Sequence, residues 1–200
     1  LLAPDEFFDL YPVDEMPMPK LGHQTGYAHH PWLADIMKVN LGADGSTEAH
    51  KTAYAAYLGL CSFMDAMVGK VVNTLTDIGG LGRTRVIYTS DHGENAGARG
   101  QWGKSNHYEE ASGIPMILAG AGVPVGKISR TPVSLVDVHP SIINWTIAED
   151  PEAGELPGRC LFGIALADDD PDRVAFSEYH AAKSPSGSFM IRKGRYKYIH

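Results

Sequence analysis

Cysteine is scarce in this chain, with two among 200 residues. Cys61 falls in a stretch of helical spacing and Cys160 in a Leu-Pro-Gly-Arg-Cys turn, and the wide gap between them excludes a cysteine zinc site or a disulfide framework. Positive charge is scarce too. Seventeen lysines and arginines against 24 aspartates and glutamates leave a net charge of −7, which argues against a nucleic-acid partner. The one basic run, Arg192-Lys193-Gly194-Arg195-Tyr196-Lys197, alternates with aromatics as the solvated face of a hairpin does. No apolar run reaches bilayer-spanning length, so no membrane partner is expected. The chain opens on Leu1 rather than methionine. It is therefore expected to be a processed chain or a fragment, and its compartment stays open between periplasm and cytoplasm.

What is present is an ordinary globular composition, 44% hydrophobic and 20% charged, at a length that supports a substantial core. Residues 1–45 carry four prolines by position 19 and no sustained period, and read as an extended arm, with a short helix in "GYAHHPWLADIM". From position 47 the residues Ala53, Ala56, Tyr57, Leu60, Met64, Met67, Val68, Val71, Leu75 and Ile78 recur at three- and four-residue steps. That spacing predicts one long helix with a Met-rich core face, capped by Ser46 or Thr47 and stopped at Gly79-Gly80. Residues 85–90 and 114–120 read as buried inner strands, 134–147 as a helix and 173–180 as a third strand. Residues 188–200 read as a hairpin turned at Lys193-Gly194. The order predicts an α/β sheet flanked by helices over residues 46–170, with a small antiparallel piece starting at 171.

The chemistry concentrates in "TSDHGENAGARGQWGKSNHYEE", residues 89–110. Asp91 and His92 follow a strand, at the kind of carboxyl edge where ligands bind in mostly parallel sheets. A carboxylate oxygen and an imidazole nitrogen together suit calcium, magnesium, manganese or zinc; the same pair also serves as a turn-capping aspartate beside an exposed histidine. Lys104 adds an ammonium group suited to clamping a tetrahedral oxyanion, sulfate or phosphate. His107, on the same loop, and His180, at the end of the third strand, are further candidate substrate contacts, each equally readable as a surface histidine.

"VIYTSDHGE…G…QWGK…YEE…IPMIL" resembles the second signature region of the sulfatases, within the alkaline-phosphatase-like superfamily. The resemblance extends outward through "SLVDVHPSIINW" and "LPGRCLFGI" to "FSEYHAA…SFMIRKGRYKYI", which is similar to the C-terminal hairpin region of choline-sulfatase-like and arylsulfatase-like members. It implies part of an alkaline-phosphatase-like sheet followed by a small antiparallel subdomain. It implies Asp91 and His92 as ligands of a divalent metal, calcium foremost, and Lys104 as the group on the sulfate oxygens. It also implies a small-molecule sulfate ester as substrate and a formylglycine nucleophile.

Three departures qualify that resemblance. Many sulfatases carry Asp-Asn where this chain has Asp-His, and Asp-His also occurs in relatives that cleave phosphonate or phosphate esters. The family's "RVP" or "RIP" reads Gly113-Ile114-Pro115, which removes a charge. Neither Cys61 nor Cys160 stands in the "C/S-x-P-S/A-R" context that is converted to formylglycine. The chain is therefore expected to be the C-terminal portion of a sulfatase, with the nucleophile in the missing amino-terminal half, and inactive alone. Unpaired strand edges predict self-association. The alternatives are a phosphonate or phosphodiester hydrolase on the same scaffold, and a noncatalytic domain that keeps the fold.

Overall fold

The computed structural model describes residues 2–22, 30–39, 46–146, 155–180, 184 and 186–200. The proline-rich start is not a bare arm. It forms α1 (Asp5–Phe8) and a single 3-10 turn over Val13–Glu15, each begun by a proline at the preceding position, where the missing N–H costs nothing. α2 (Pro31–Val39) opens on a proline in the same way and buries Ile36. The expected helix in "GYAHHPWLADIM" corresponds to α2; residues 26–29 of that stretch lie outside the described residues.

α3 (Thr47–Asp77) is the long helix the periodicity predicts. Ser46 Oγ accepts the Ala49 N–H at 3.1 Å, and at the far end the Gly79 and Gly80 N–H groups reach back to the Thr76 and Leu75 carbonyls. α1 lies on its first half, where Phe7 meets Phe63 edge to face and Tyr11 Oη is 2.7 Å from Ser62 Oγ. The buried positions of α3 are His50, Ala55, Ala56 and Gly59, whereas Met64, Val71 and Ile78 are exposed. The Met-rich stripe is therefore open at Met64, Val71 and Ile78, and the buried positions of α3 all lie in its first half. α3 is also long and apolar enough to cross a membrane by length and composition, contrary to the expectation from apolar runs. Its alanines, valines, leucines and methionines keep the helix apolar on average, while interspersed glycines and polar residues prevent a continuous run of large apolar side chains.

β1 (Arg85–Thr89) is followed by α4 (Glu109–Ser112) and β2 (Met116–Gly120). β1 and β2 pair antiparallel, with Arg85 opposite Gly120 and Thr89 opposite Met116. Neither strand holds a fully buried residue, contrary to the expectation of buried inner strands. The connection between them, residues 90–115, holds a 3-10 turn at Ala98–Gly100 and the single turn of α4. Tyr88 and its partner Ile117 are both exposed.

A 3-10 turn at Leu135–Asp137 leads into α5 (Val138–Thr146), with Pro140 in its first turn; residue 147 of the expected helix lies outside the described residues. The "LPGRCLFG" turn continues into α6 (Leu161–Leu166), an element too short for its period to show. β3 (Val174–Tyr179), β4 (Ser188–Lys193) and β5 (Tyr196–Ile199) form an antiparallel sheet in that order, the small C-terminal sheet that was expected. Its turn residues are Gly194 and Arg195, one position beyond the expected pair.

Asp137 organises this region. It is fully buried and accepts hydrogen bonds from Arg173 Nη2 at 2.6 Å, the Arg159 N–H at 2.8 Å and the Ser134 N–H at 2.9 Å. Ser141 Oγ donates to the Asp137 carbonyl and accepts the Leu161 N–H. A buried carboxylate is tolerated only when it is paired and fully hydrogen-bonded, and this one is both.

The chain divides into two compact units. One comprises Leu1–Gly82, His92–Ile114 and Ala181–Ser186; the other comprises Arg83–Asp91, Pro115–His180 and Gly187–His200. The peptide joining Asp91 to His92 is thus a point where the chain passes from one unit to the other.

Candidate active site

Asp91 stands two residues past the end of β1, exposed, with Ser90 Oγ 3.4 Å from its Oδ1. His92 is half-buried, and its Nδ1 lies 2.9 Å from the Gly93 carbonyl oxygen. A carbonyl only accepts, so Nδ1 carries the proton, and the lone pair of the neutral ring is on Nε2. This is the tautomer a metal-ligating histidine adopts when a backbone carbonyl orients it.

The loop that follows is tightly tied. Gly93 donates its N–H to the Ala111 carbonyl at 2.8 Å, and Gly97 donates to the Gln101 carbonyl at 2.8 Å. Arg99 forms an ion pair with Glu110 at 2.9 Å and lies over the Tyr108 ring at 4.0 Å. Asn95, Gln101 and Asn106 are all buried, and Asn106 Nδ2 donates to Gln101 Oε1 at 3.0 Å. Beneath the loop His50 of α3 is buried against Tyr54 and Trp102. Burial alone pushes its imidazole below the ordinary histidine value. Lys104 rises exposed from this framework, and its carbonyl accepts the Asn106 N–H at 2.7 Å.

The two remaining histidines are placed differently. His107 is buried, 5% exposed, with its ring stacked on Trp32 at 6.5 Å. Trp32 Nε1 in turn donates to Ser184 Oγ at 2.9 Å and to the Ser186 carbonyl at 3.0 Å. His180 is exposed, with Nε2 3.3 Å from Glu178 Oε2 and its ring edge-on to Phe189. It follows β3, in a different sheet from β1. Glu94, Asn95, Gln101 and Trp32 were not read as site residues from sequence. The available signal was the row of amides and a carboxylate set among glycines, polar side chains where a surface loop needs none.

A family model for sulfatases matches residues 14–148. The chain belongs to the sulfatase family. It is 33% identical over 165 residues to arylsulfatase K of Danio rerio, covering 80% of this chain and 31% of that protein. With arylsulfatase K of Rattus norvegicus it shares 34% over 157 residues, covering 74% and 28%. The chain thus spans under a third of the length of these relatives. Among solved structures, a phosphonate monoester hydrolase from Silicibacter pomeroyi superposes with a TM-score of 0.86 at 26% identity, over 100% of this chain and 45% of the other. A second, solved in complex with its substrate D-glucosamine-2-N,6-O-disulfate, gives 0.70 at 25% identity, over 84% and 35%. The fold is that of the alkaline-phosphatase-like sulfatases.

Sulfatases generally use a divalent metal and a formylglycine. The donor types of Asp91 and His92, a carboxylate oxygen and an imidazole nitrogen, suit such a metal. Among the described residues no group of three or more His, Cys, Asp or Glu side chains is gathered for a metal. Cys61 and Cys160 are both free thiols. Gly113 ends α4, and a Cβ there would stand 2.7 Å from the Glu109 carbonyl oxygen.

Proposed function

We propose that the full-length protein hydrolyses sulfate esters, with Asp91 and His92 holding a divalent cation and Lys104 contacting the sulfate oxygens. The observation that carries this reading is the loop itself, a segment beginning at the Asp91-His92 pair that is fixed by buried amides and leaves Lys104 exposed. In the reaction the bond from sulfur to the alcohol oxygen breaks, with water supplying hydroxyl to sulfur and a proton to the alcohol. The cation, calcium in this proposal, would draw charge from the ester oxygens when bound. The formylglycine is supplied by neither Cys61 nor Cys160.

Lys104 contributes a point charge. At about 4 Å from a sulfate charge, and an effective dielectric of about 20, its attraction is on the order of 4 kcal/mol before desolvation. Arg99, held by Glu110 and Tyr108, is engaged within the loop. We assign His107 to packing the loop against Trp32, which revises its reading as a substrate contact, because its ring is buried. His180 stays a candidate substrate contact. The likeness to a phosphonate monoester hydrolase supports a second reading, cleavage of phosphonate monoesters with the same residues in the same roles.

The test measures bound metal and turnover of 4-nitrophenyl sulfate in the full-length protein. Asp91→Ala with His92→Ala should lose metal and turnover together. In the same assay His180→Ala should change the relative rates on different sulfate esters. Full metal occupancy in the Asp91→Ala, His92→Ala protein would remove the pair from the metal site. Unchanged relative rates would remove His180.

A further inference from the structure

Gly103, the residue before Lys104, is gripped by both of its peptide groups. Its N–H donates to Glu94 Oε1 at 2.5 Å. Its carbonyl accepts from the Asn95 N–H at 2.8 Å and from Asn95 Nδ2 at 2.6 Å. The same Glu94 oxygen accepts the Ala96 N–H at 3.1 Å. Gly103 itself is left-handed, at φ +81, a conformation other residues adopt only under strain. The backbone that carries Lys104 is therefore fastened to residues two and three positions after His92.

Two further observations show that this fastening is costly to build. Ala96 (φ 47) and Arg99 (φ 56) are the non-glycine residues with positive φ in the described chain, and both fall between the two ends of the clamp. Such conformations persist only where the surroundings enforce them. Asn95 is 2% exposed, and its Oδ1 has no hydrogen-bond partner among the described residues. An apolar residue there would bury no orphaned oxygen, so the amide is accounted for by what its nitrogen does at Gly103.

We propose that Glu94 and Asn95 are positioning residues that set the presentation of Lys104; the inference rests on the reading of Lys104 as the oxyanion contact. The test is a double-mutant cycle in the full-length protein, read as kcat/KM on 4-nitrophenyl sulfate and as inhibition by inorganic sulfate, with the thermal midpoint measured alongside. Glu94→Ala is expected to lower kcat/KM about tenfold and to weaken sulfate inhibition. Glu94→Gln, which keeps the acceptor oxygen, should recover most of that loss. In a Lys104→Ala background the Glu94→Ala loss should disappear. Losses that multiply instead, as for a merely structural residue, overturn the proposal. So does wild-type kcat/KM in Glu94→Ala beside a crippled Lys104→Ala, a result that leaves the role of Lys104 standing. Wild-type kinetics in Lys104→Ala removes Lys104 from the site and the proposal with it. If Glu94→Ala does not fold, Asn95→Ser removes one bond to Gly103 and should cost about threefold. An unaltered kcat/KM in that variant overturns the proposal equally.

Discussion

Asp137 and Lys104 each stand in a network of buried polar groups, but the networks are completed to different degrees. Around Asp137 both carboxylate oxygens and the backbone carbonyl have donors, from Arg173, Arg159, Ser134 and Ser141. Around Lys104 the accounting does not close: among the described residues Asn95 Oδ1, Gln101 Nε2 and His50 Nε2 are buried without partners, and two non-glycine residues sit in left-handed conformations. A satisfied network rigidifies a fold, whereas strain and unmet polar groups collect where a protein needs a particular geometry more than it needs stability. The first region holds the fold together, and the second is, in our proposal, shaped to present Lys104.

The comparison breaks most visibly at Asp137. Removing the carboxylate leaves the Arg173 guanidinium, itself little exposed, without its charge partner. Asp137→Ala should cost about 3–5 kcal/mol of folding stability. Chemical unfolding measures this, and a loss under about 1 kcal/mol would mean that the pair holds nothing. Lys104→Ala is the reverse case. It should cut turnover of the full-length enzyme by roughly two orders of magnitude while leaving the unfolding midpoint in place, because the side chain is exposed. A variant that loses stability instead would move Lys104 into the structural class.

The smallest effect sharpens the boundary between the two networks. His50 is held neutral by burial, so the unfolded chain takes up a proton near pH 6.5 while the folded chain does so only at lower pH. Between those values the unfolded state binds more protons. The stabilising contribution is complete above about pH 6.5 and is lost as pH falls through the folded value. The thermal midpoint should therefore drop further between pH 7.5 and 5.5 in the wild type than in His50→Gln, and equal drops would contradict the burial argument.

Much of this was legible in the sequence, and the limits have physical causes. α3 was readable because its spacing, its serine cap and its paired glycines all pointed the same way. The β4–β5 hairpin was readable from alternation around a glycine turn. The antiparallel pairing of β1 with β2 was not, because it depends on where a long connection returns the chain. The Asp137 network was equally hidden, since Arg173 lies 36 positions along the chain from its partner. Asp91, His92 and Lys104 stood out by chemical type. What ties Lys104 down did not, because Glu94 and Asn95 act through the backbone of a glycine. His107 looked like a reactive group on a loop, and only the fold shows its ring stacked on Trp32.

We propose that this sulfatase-family chain belongs to an enzyme that prefers sulfate esters, and the rival reading is phosphonate cleavage by the same residues. One measurement separates them: kcat/KM of the full-length protein on 4-nitrophenyl sulfate and on a 4-nitrophenyl phosphonate monoester, which share a leaving group and differ at the oxyanion. The account predicts that the sulfate ester is preferred by at least about tenfold, a ratio that a few contacts can set. A phosphonate monoester turned over equally well or better would contradict it.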